Sequence, residues 1–274
     1  MLAGGFSVSA AQGGSGLPAD AAERESRRTV AAITPDFGEN IKEKKAQNSD
    51  TIGWLYVPGT EINNVILQNP GNKSNSYYLT RDFYGNPDKD GLYCADFRAR
   101  FGDGRRKSLS RIVTLFGHSW EDDPNGRLFA QLKKYRDPQF ARDNPYIFFS
   151  TGSENMAWEV FAVFDTTIDL PYITPDLSDN HFFDMLDIVS ALSVYDYGIE
   201  IHESDRILTL STCTYAVKGQ AQLPYYNDYR FAIMARLAGP DEEAKNEAVF
   251  SQNGQTLKPD AISKEMKARH LPPV

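Results

Sequence analysis

Short apolar runs of β-type sequence, separated by turns rich in Gly, Pro, Asn and Asp, dominate the chain from about residue 50 to residue 238. Such a succession is typical of all-β sandwiches and barrels. We identify about eight segments, at residues 52–57, 62–68, 91–95, 110–117, 145–150, 157–168, 205–213 and 228–237. The pattern therefore predicts a mainly β fold, either a barrel or a sandwich.

Helical sequence precedes and interrupts the strands. Residues 21–48 are rich in Ala, Glu, Lys and Arg and predict one or two short helices, with Asp36 or Asn40 as possible starts. A short helix is expected at residues 125–132, and apolar spacing predicts a clearer amphipathic helix at residues 181–192, inserted before the segment that ends at residue 213.

The division of the chain follows from these patterns. Residues 1–20 are low in complexity and predict a flexible N-terminal segment. We expect an N-terminal helical region at 21–48, a β domain at 49–238, and a polar C-terminal extension at 239–274 that forms a tail with one short helix near 260–269.

Composition excludes several classes of function. A net charge of −8 over 274 residues argues against broad nucleic-acid binding, which needs basic surfaces. Two cysteines and four scattered histidines do not predict a structural zinc site. No run approaches the roughly 20 apolar residues of a membrane span, and the first residues lack the basic region of a signal peptide.

The cysteine at the end of segment 205–213 is the strongest candidate for chemistry. Alternation places Cys213 on one strand face with Ser211, Thr209 and Ile207, whereas Leu208, Leu210 and Thr212 lie on the other. A rigid strand that ends in a thiol fixes the position of a nucleophile and leaves it open to substrate. The alternative is a structural cysteine, which is our interpretation of Cys94 in segment 91–95. A disulfide between the two is also arithmetically possible.

A histidine and an arginine lie in comparable positions. His118 follows a glycine at the end of segment 110–117 and precedes a polar loop. Arg230 lies near the start of segment 228–237, which can pair antiparallel with the cysteine strand, and is the candidate for stabilising an oxyanion. Arg236 shares the face of Arg230 but lies about 20 Å further along, at about 3.3 Å per residue.

Together these motifs resemble the sortases, the cell-wall cysteine transpeptidases of Gram-positive bacteria. The resemblance rests on the sequences TLSTC at 209–213, TLFGH at 114–118 and YRFAI at 229–233, and it extends over roughly residues 40–238. The sequences NSDTIGWL at 48–55, YYL at 77–79 and GLYCAD at 91–96 are similar to class B of the family. The loop between Cys213 and Arg230 is longer than the class B pattern predicts.

The resemblance implies a closed eight-stranded barrel with N-terminal helices and a helix inserted before the cysteine strand. It implies that Cys213, His118 and Arg230 are catalytic and that Ser211 and Thr212 contact substrate, with no cofactor. The implied partners are surface proteins with an NPxTN- or xPxTG-like C-terminal sorting signal and an amine of the peptidoglycan cross-bridge or its lipid-linked precursor; the enzyme is expected to be a monomer.

The resemblance also implies a location at the outer face of the cell membrane, with the transmembrane anchor absent from this chain.

Two other functions are compatible with the residues. A cysteine endopeptidase would use the same Cys/His pair with water as the acceptor, and a non-enzymatic β-barrel binding module would not need Cys213 at all.

Overall fold

The computed structural model describes residues 28–215, 228–254 and 257–274. The strands in this part of the chain are β1 (Thr51–Tyr56), β2 (Asn63–Leu67), β3 (Cys94–Ala95), β4 (Ile112–Phe116), β5 (Tyr146–Thr151), β6 (Ala157–Thr167), β7 (Tyr195–Asp196), β8 (Ile207–Cys213), β9 (Tyr229–Leu237) and β10 (Ser251–Gln252).

Eight of these strands close into a barrel in the order β1-β2-β3-β4-β8-β9-β6-β5. The predicted closed eight-stranded barrel is therefore confirmed, and each predicted β segment overlaps one strand of it. The remaining two, β7 and β10, pair with each other in a separate two-stranded sheet. Strands of two residues carry no readable alternation, so the sequence did not predict this pair.

The α-helices are α1 (Val30–Ile33), α2 (Gly38–Gln47), α3 (Ser76–Leu79), α4 (Pro138–Asp143), α5 (Asp179–Leu192) and α6 (Ile262–Ala268). Short 3₁₀ helices cover Pro70–Asn72, Arg106–Ser108, Leu128–Arg136 and Pro259–Ala261. The prediction of a helix at 125–132 was wrong at its start, because Asp123 closes a turn there: its side chain accepts from the Asn125 N–H at 2.8 Å and its carbonyl from the Gly126 N–H at 3.0 Å.

Apolar side chains are buried both inside the barrel and on its outer surface. The inserted helix α5 packs on the outside through residues at helical spacing that include Phe182, Met185 and Val189. Burial of each such side chain stabilises the fold by roughly 1.5–3 kcal/mol. This packing fixes the position of the segment between β6 and β8.

The C-terminal extension differs from the predicted tail. Its composition is polar, but Ile262 and Met266 of α6 and the following Leu271 are buried in the same outer cluster as α5. Arg269 also pairs with Asp187 of α5 at 2.9 Å. The extension is therefore a packed part of the fold.

The directions of three neighbouring strands determine which residues meet. β4 and β8 are parallel, with Phe116 opposite Ser211, so both strands end at the same end of the barrel. β9 is antiparallel to β8 and begins at that end, where Arg230 lies opposite Cys213. The two strand ends and the one strand start converge on a single region.

Candidate active site

Cys213 is the last residue of β8 and is half-buried, with a free thiol. The predicted alternation of this strand is confirmed. Leu208 and Leu210 belong to the apolar cluster inside the barrel, whereas Ile207 packs in the outer cluster. Cys213 is an even number of residues from Ile207 along the same strand, so its side chain also lies on the outer face. There the end of the strand leaves the thiol open to a cavity.

His118 lies two residues beyond the end of β4 and faces the same cavity. Its Nε2 is 2.7 Å from the carbonyl oxygen of Leu79, and its ring stacks on Trp120 with centroids 4.5 Å apart. A carbonyl can only accept a hydrogen bond, so this contact places a hydrogen on Nε2. The imidazole is thus held from two sides.

The glycine before His118 is required by close packing. A Cβ at Gly117 would come within 2.7 Å of the Tyr93 ring and 2.8 Å of the Phe129 ring. The Gly117 carbonyl oxygen accepts a 2.7 Å hydrogen bond from the buried Thr212 hydroxyl. The backbone leading to His118 is therefore attached directly to the residue before Cys213.

Arg230 lines the cavity beside Cys213, and its Nη1 donates to the carbonyl oxygen of Tyr229 at 2.9 Å. Arg236, at the far end of β9, instead donates to Glu159 at 2.9 Å and to Glu242 at 2.8 Å. The structure thus separates a cavity arginine from an arginine in a structural ion pair, as the strand spacing predicted.

The cavity has a volume of about 520 Å³ and brings together all five residues that the sequence singled out. Its lining residues are Asn75, Leu79, Phe116, Gly117, His118, Ile168, Asp169, Tyr172, Ile173, Ser211, Thr212, Cys213, Arg230, Pro273 and Val274. Apolar side chains thus flank a thiol, an imidazole and a guanidinium. The last two residues of the C-terminal extension form part of the wall, which the sequence did not predict.

Ser211 leads to a residue that sequence reasoning missed. Its hydroxyl is buried and 2.8 Å from the Tyr172 hydroxyl. Burial raises the pKa of Tyr172 to about 12, while the hydrogen bond with Ser211 opposes that shift. The phenol therefore stays protonated at neutral pH. Tyr172 lies in an irregular segment between β6 and α5, where no periodic pattern draws attention to it.

Cys94 has a different environment from Cys213. It is buried and also carries a free thiol, so the two cysteines do not form a disulfide. Burial raises its pKa to about 12, with a smaller contribution from Asp96. A neutral, buried thiol of this kind packs as a small apolar group.

Metal ligands and membrane-spanning helices can be judged over the described ranges 28–215, 228–254 and 257–274. Within them, no group of three or more His, Cys, Asp or Glu side chains could hold a metal ion. In the same ranges, no helix has the length and apolar character needed to cross a membrane. Most of the long loop between Cys213 and Arg230, residues 216–227, lies outside them, as do residues 1–27, which contain the predicted flexible segment.

Comparison with known proteins gives a consistent result. No protein-family model matches the chain. The chain is 33% identical over 182 residues to sortase B of Listeria monocytogenes, an alignment that covers 66% of this chain and 70% of the relative.

Solved structures of sortase B share the fold. The Staphylococcus aureus sortase B–substrate complex matches with a TM-score of 0.60 and 26% identity, over 73% of this chain and 85% of the other. A sortase B complexed with triglycine matches with a TM-score of 0.60 and 26% identity, over 74% and 86%.

Proposed function

The chain belongs to the class B sortases, which are cysteine transpeptidases, and we propose that it cleaves a C-terminal sorting signal of surface proteins after threonine and transfers the protein to a cell-wall amine. The observation that carries this proposal is the convergence of Cys213, His118 and Arg230 on one cavity at a single end of the barrel. A thiol, an acid and a fixed cation are the groups that acyl transfer through a thioester needs.

The first half-reaction forms the thioester. The Cys213 thiolate attacks the threonine carbonyl carbon, and Arg230, with a backbone N–H, stabilises the oxyanion. The C–N bond then breaks, and the departing amine takes a proton from His118, which enters this step as the imidazolium and leaves it as neutral imidazole. The surface protein is left joined to the Cys213 sulfur.

The second half-reaction resolves the thioester. An incoming amine attacks the thioester carbonyl, gives a proton to His118, and the new C–N bond displaces the Cys213 thiolate. One amide is exchanged for another, so the reaction needs no oxidant or cofactor. Water in place of the amine would give hydrolysis, the endopeptidase alternative.

The cavity walls support a peptide as the substrate. Leu79, Ile168 and Ile173 provide an apolar surface beside the thiol, which suits the apolar and proline positions of an NPxTN- or xPxTG-like signal. Ser211 and Thr212 are proposed substrate contacts. Their hydroxyls already bind Tyr172 and the Gly117 carbonyl, so contact would use the remaining lone pairs and the backbone.

The acceptor is proposed to be an amine of the peptidoglycan cross-bridge or of its lipid-linked precursor. The relative solved with triglycine supports an oligoglycine-like amine as one candidate. A cell-wall role follows from membership of the family, and we place the enzyme at the outer face of the membrane of a Gram-positive bacterium, acting as a monomer.

A peptide cleavage assay tests the proposal. Fluorogenic NPxTN- and xPxTG-type peptides are incubated with the protein, with and without triglycine or a diaminopimelate-type amine, beside Cys213→Ala and the matched control Cys94→Ala. We expect an amine-linked product from the wild type and from Cys94→Ala, and none from Cys213→Ala. Free acid as the sole product with every amine would favour the endopeptidase, and cleavage that survives Cys213→Ala would refute the thioester.

A further inference from the structure

A buried lysine lies under the loop that follows His118. The Lys133 side chain, in the 3₁₀ helix Leu128–Arg136, is only 1% exposed. Its ammonium group contacts an Asp122 carboxylate oxygen at 2.6 Å, the Ser119 hydroxyl at 2.5 Å and the Glu121 carbonyl oxygen at 2.7 Å. All three of its N–H donors therefore have an acceptor in this one loop.

The same loop is bound to the segment that follows Cys213. The Asp122 carboxylate accepts from the Tyr215 backbone N–H at 2.7 Å and from the Thr214 hydroxyl at 3.3 Å. The Tyr215 hydroxyl donates to the Ser119 carbonyl oxygen at 3.2 Å. Asp122 thus connects Lys133 to the two residues directly after the candidate nucleophile.

The contacts of Lys133 flank the residue that supports the imidazole. Trp120, whose ring stacks on His118, lies between Ser119 and Glu121, the two loop neighbours that Lys133 holds. Trp120 is 50% exposed, and its side chain also hydrogen-bonds to Asp90. The fixed backbone on either side of Trp120 sets where its ring meets the imidazole.

Stability alone does not account for a buried ion pair at this place. Burial lowers the pKa of Lys133, with Asp122 opposing the shift, so desolvation of the ammonium group has a real cost. Replacement of buried ion pairs by apolar groups of similar volume is often neutral or stabilising. What the pair provides here is a fixed geometry between two loops.

We propose that Lys133 and Asp122 are positioning residues for the transfer reaction. Their ion pair holds the loop residues 119–121, and with them the Trp120 ring, against His118. It also joins this loop to the segment after Cys213. Neither residue lines the cavity, so they act through His118 and not on the substrate. This inference rests on the proposed function, because it assigns the geometry of the same thiol and imidazole.

The test compares Lys133→Met, Asp122→Asn and the double variant with Glu159→Gln. The control also removes one partner of a buried ion pair, that of Glu159 with Arg236, but at the opposite end of β9. For each protein we would measure kcat and KM for transfer of the peptide cleaved best by the wild type, and stability by urea denaturation.

Loss of positioning should lower kcat by about 10- to 100-fold. KM should change less than about 3-fold, because the substitutions leave the residues that line the cavity unchanged. The two single variants and the double variant should show similar losses, since the residues act as one unit. Equal loss in Glu159→Gln, or a loss that only follows the unfolded fraction, would overturn the proposal.

Two further measurements keep the test decisive. If Lys133→Met does not fold, the double variant, which leaves neither charge unpaired, replaces it; its kcat should still fall, and an unchanged kcat would overturn the proposal. The His118 ring resonances in NMR spectra need no turnover. These resonances should shift in Asp122→Asn and not in Glu159→Gln, and the absence of that difference would overturn the positioning proposal. If the wild type transfers none of the peptides tried, that result counts against the proposed function alone.

Discussion

The Thr212 hydroxyl donates a 2.7 Å hydrogen bond to the Gly117 carbonyl oxygen, so the residue before Cys213 is attached to the residue before His118. The two side chains that perform acid and nucleophile roles in the proposed mechanism are thereby held in register by their immediate neighbours. The parallel pairing of β4 with β8 fixes which residues lie side by side on the two strands, up to Phe116 and Ser211. The hydrogen bond between Thr212 and Gly117 keeps the two chains aligned one residue beyond the end of β4.

Thr212→Val should therefore affect both stability and rate. The variant leaves the buried Gly117 carbonyl unpaired, which costs about 1–3 kcal/mol, and it should lower kcat for transfer. Urea denaturation and steady-state kinetics measure the two effects. Thr209→Val is the matched control on the same strand, because the Thr209 hydroxyl is buried without a hydrogen-bond partner among the described residues. It should be neutral or stabilising, and a comparable loss there would contradict the prediction.

Arg230→Lys should impair catalysis more than folding. Lysine keeps the charge but loses the planar set of donors, so we expect kcat/KM to fall by about 100-fold, as when an oxyanion donor is removed. Arg236→Lys provides the comparison at the other end of β9, where it weakens contacts with Glu159 and Glu242. That variant should lower the melting temperature and retain kcat. Reversal of the two patterns would exclude the role assigned to Arg230.

The two cysteines should differ strongly in reactivity. With its pKa raised to about 12 by burial, Cys94 carries roughly one thiolate in ten thousand molecules at pH 8, whereas Cys213 opens onto the cavity. Iodoacetamide should therefore modify Cys213 at least about 100-fold faster. Mass spectrometry of Cys94→Ala and Cys213→Ala measures each rate separately. Equal rates in the native protein would contradict the difference in environment.

Ionisation of Tyr172 should make the fold sensitive to alkaline pH. The pKa of this phenol is raised to about 12 in the folded state, so its stabilising contribution is complete below pH 10 and is lost as the pH rises from about 10 to 12. The stability advantage of the wild type over Tyr172→Phe should narrow by about 1 kcal/mol between about pH 9 and pH 11. Denaturation at both pH values measures it, and a constant difference would show that burial does not raise this pKa.

The packed C-terminal extension predicts a loss of stability from a single substitution outside the barrel. Ile262 is fully buried in the cluster shared with α5. Ile262→Ala should cost about 2–5 kcal/mol, which calorimetry or urea denaturation can measure. Lys264→Ala, two residues on and exposed, should change little. If the two variants were equally stable, the extension would contribute nothing to the core.

Much of the barrel could be predicted because most of its strands are short apolar runs bounded by turn residues. The segment predicted at residues 157–168 and the strand Ala157–Thr167 differ by one residue, and the strand of Cys213 ends where the apolar run ends. β3 was harder, since its two residues pair in the structure while the predicted segment began at residue 91. There, the pairing partner and not the local sequence decides the boundary.

The residues around the site were less accessible to sequence reasoning. Cys213 and His118 could be identified because Cys213 ends one regular strand and His118 comes shortly after another. Lys133, next to another lysine in the 3₁₀ helix Leu128–Arg136, has the pattern of a solvated surface residue, and only tertiary contacts reveal that it is buried. Tyr172 is similar: its importance comes from a contact with Ser211, 39 residues away.

The placement of Pro273 and Val274 in the cavity wall bears on how the protein is handled at the bench. An affinity tag or fluorescent partner fused after Val274 would begin at the rim of the cavity that holds Cys213, where a flexible peptide competes with added substrate at high local concentration. Assays that compare tagged preparations should thus treat the attachment point as an experimental variable.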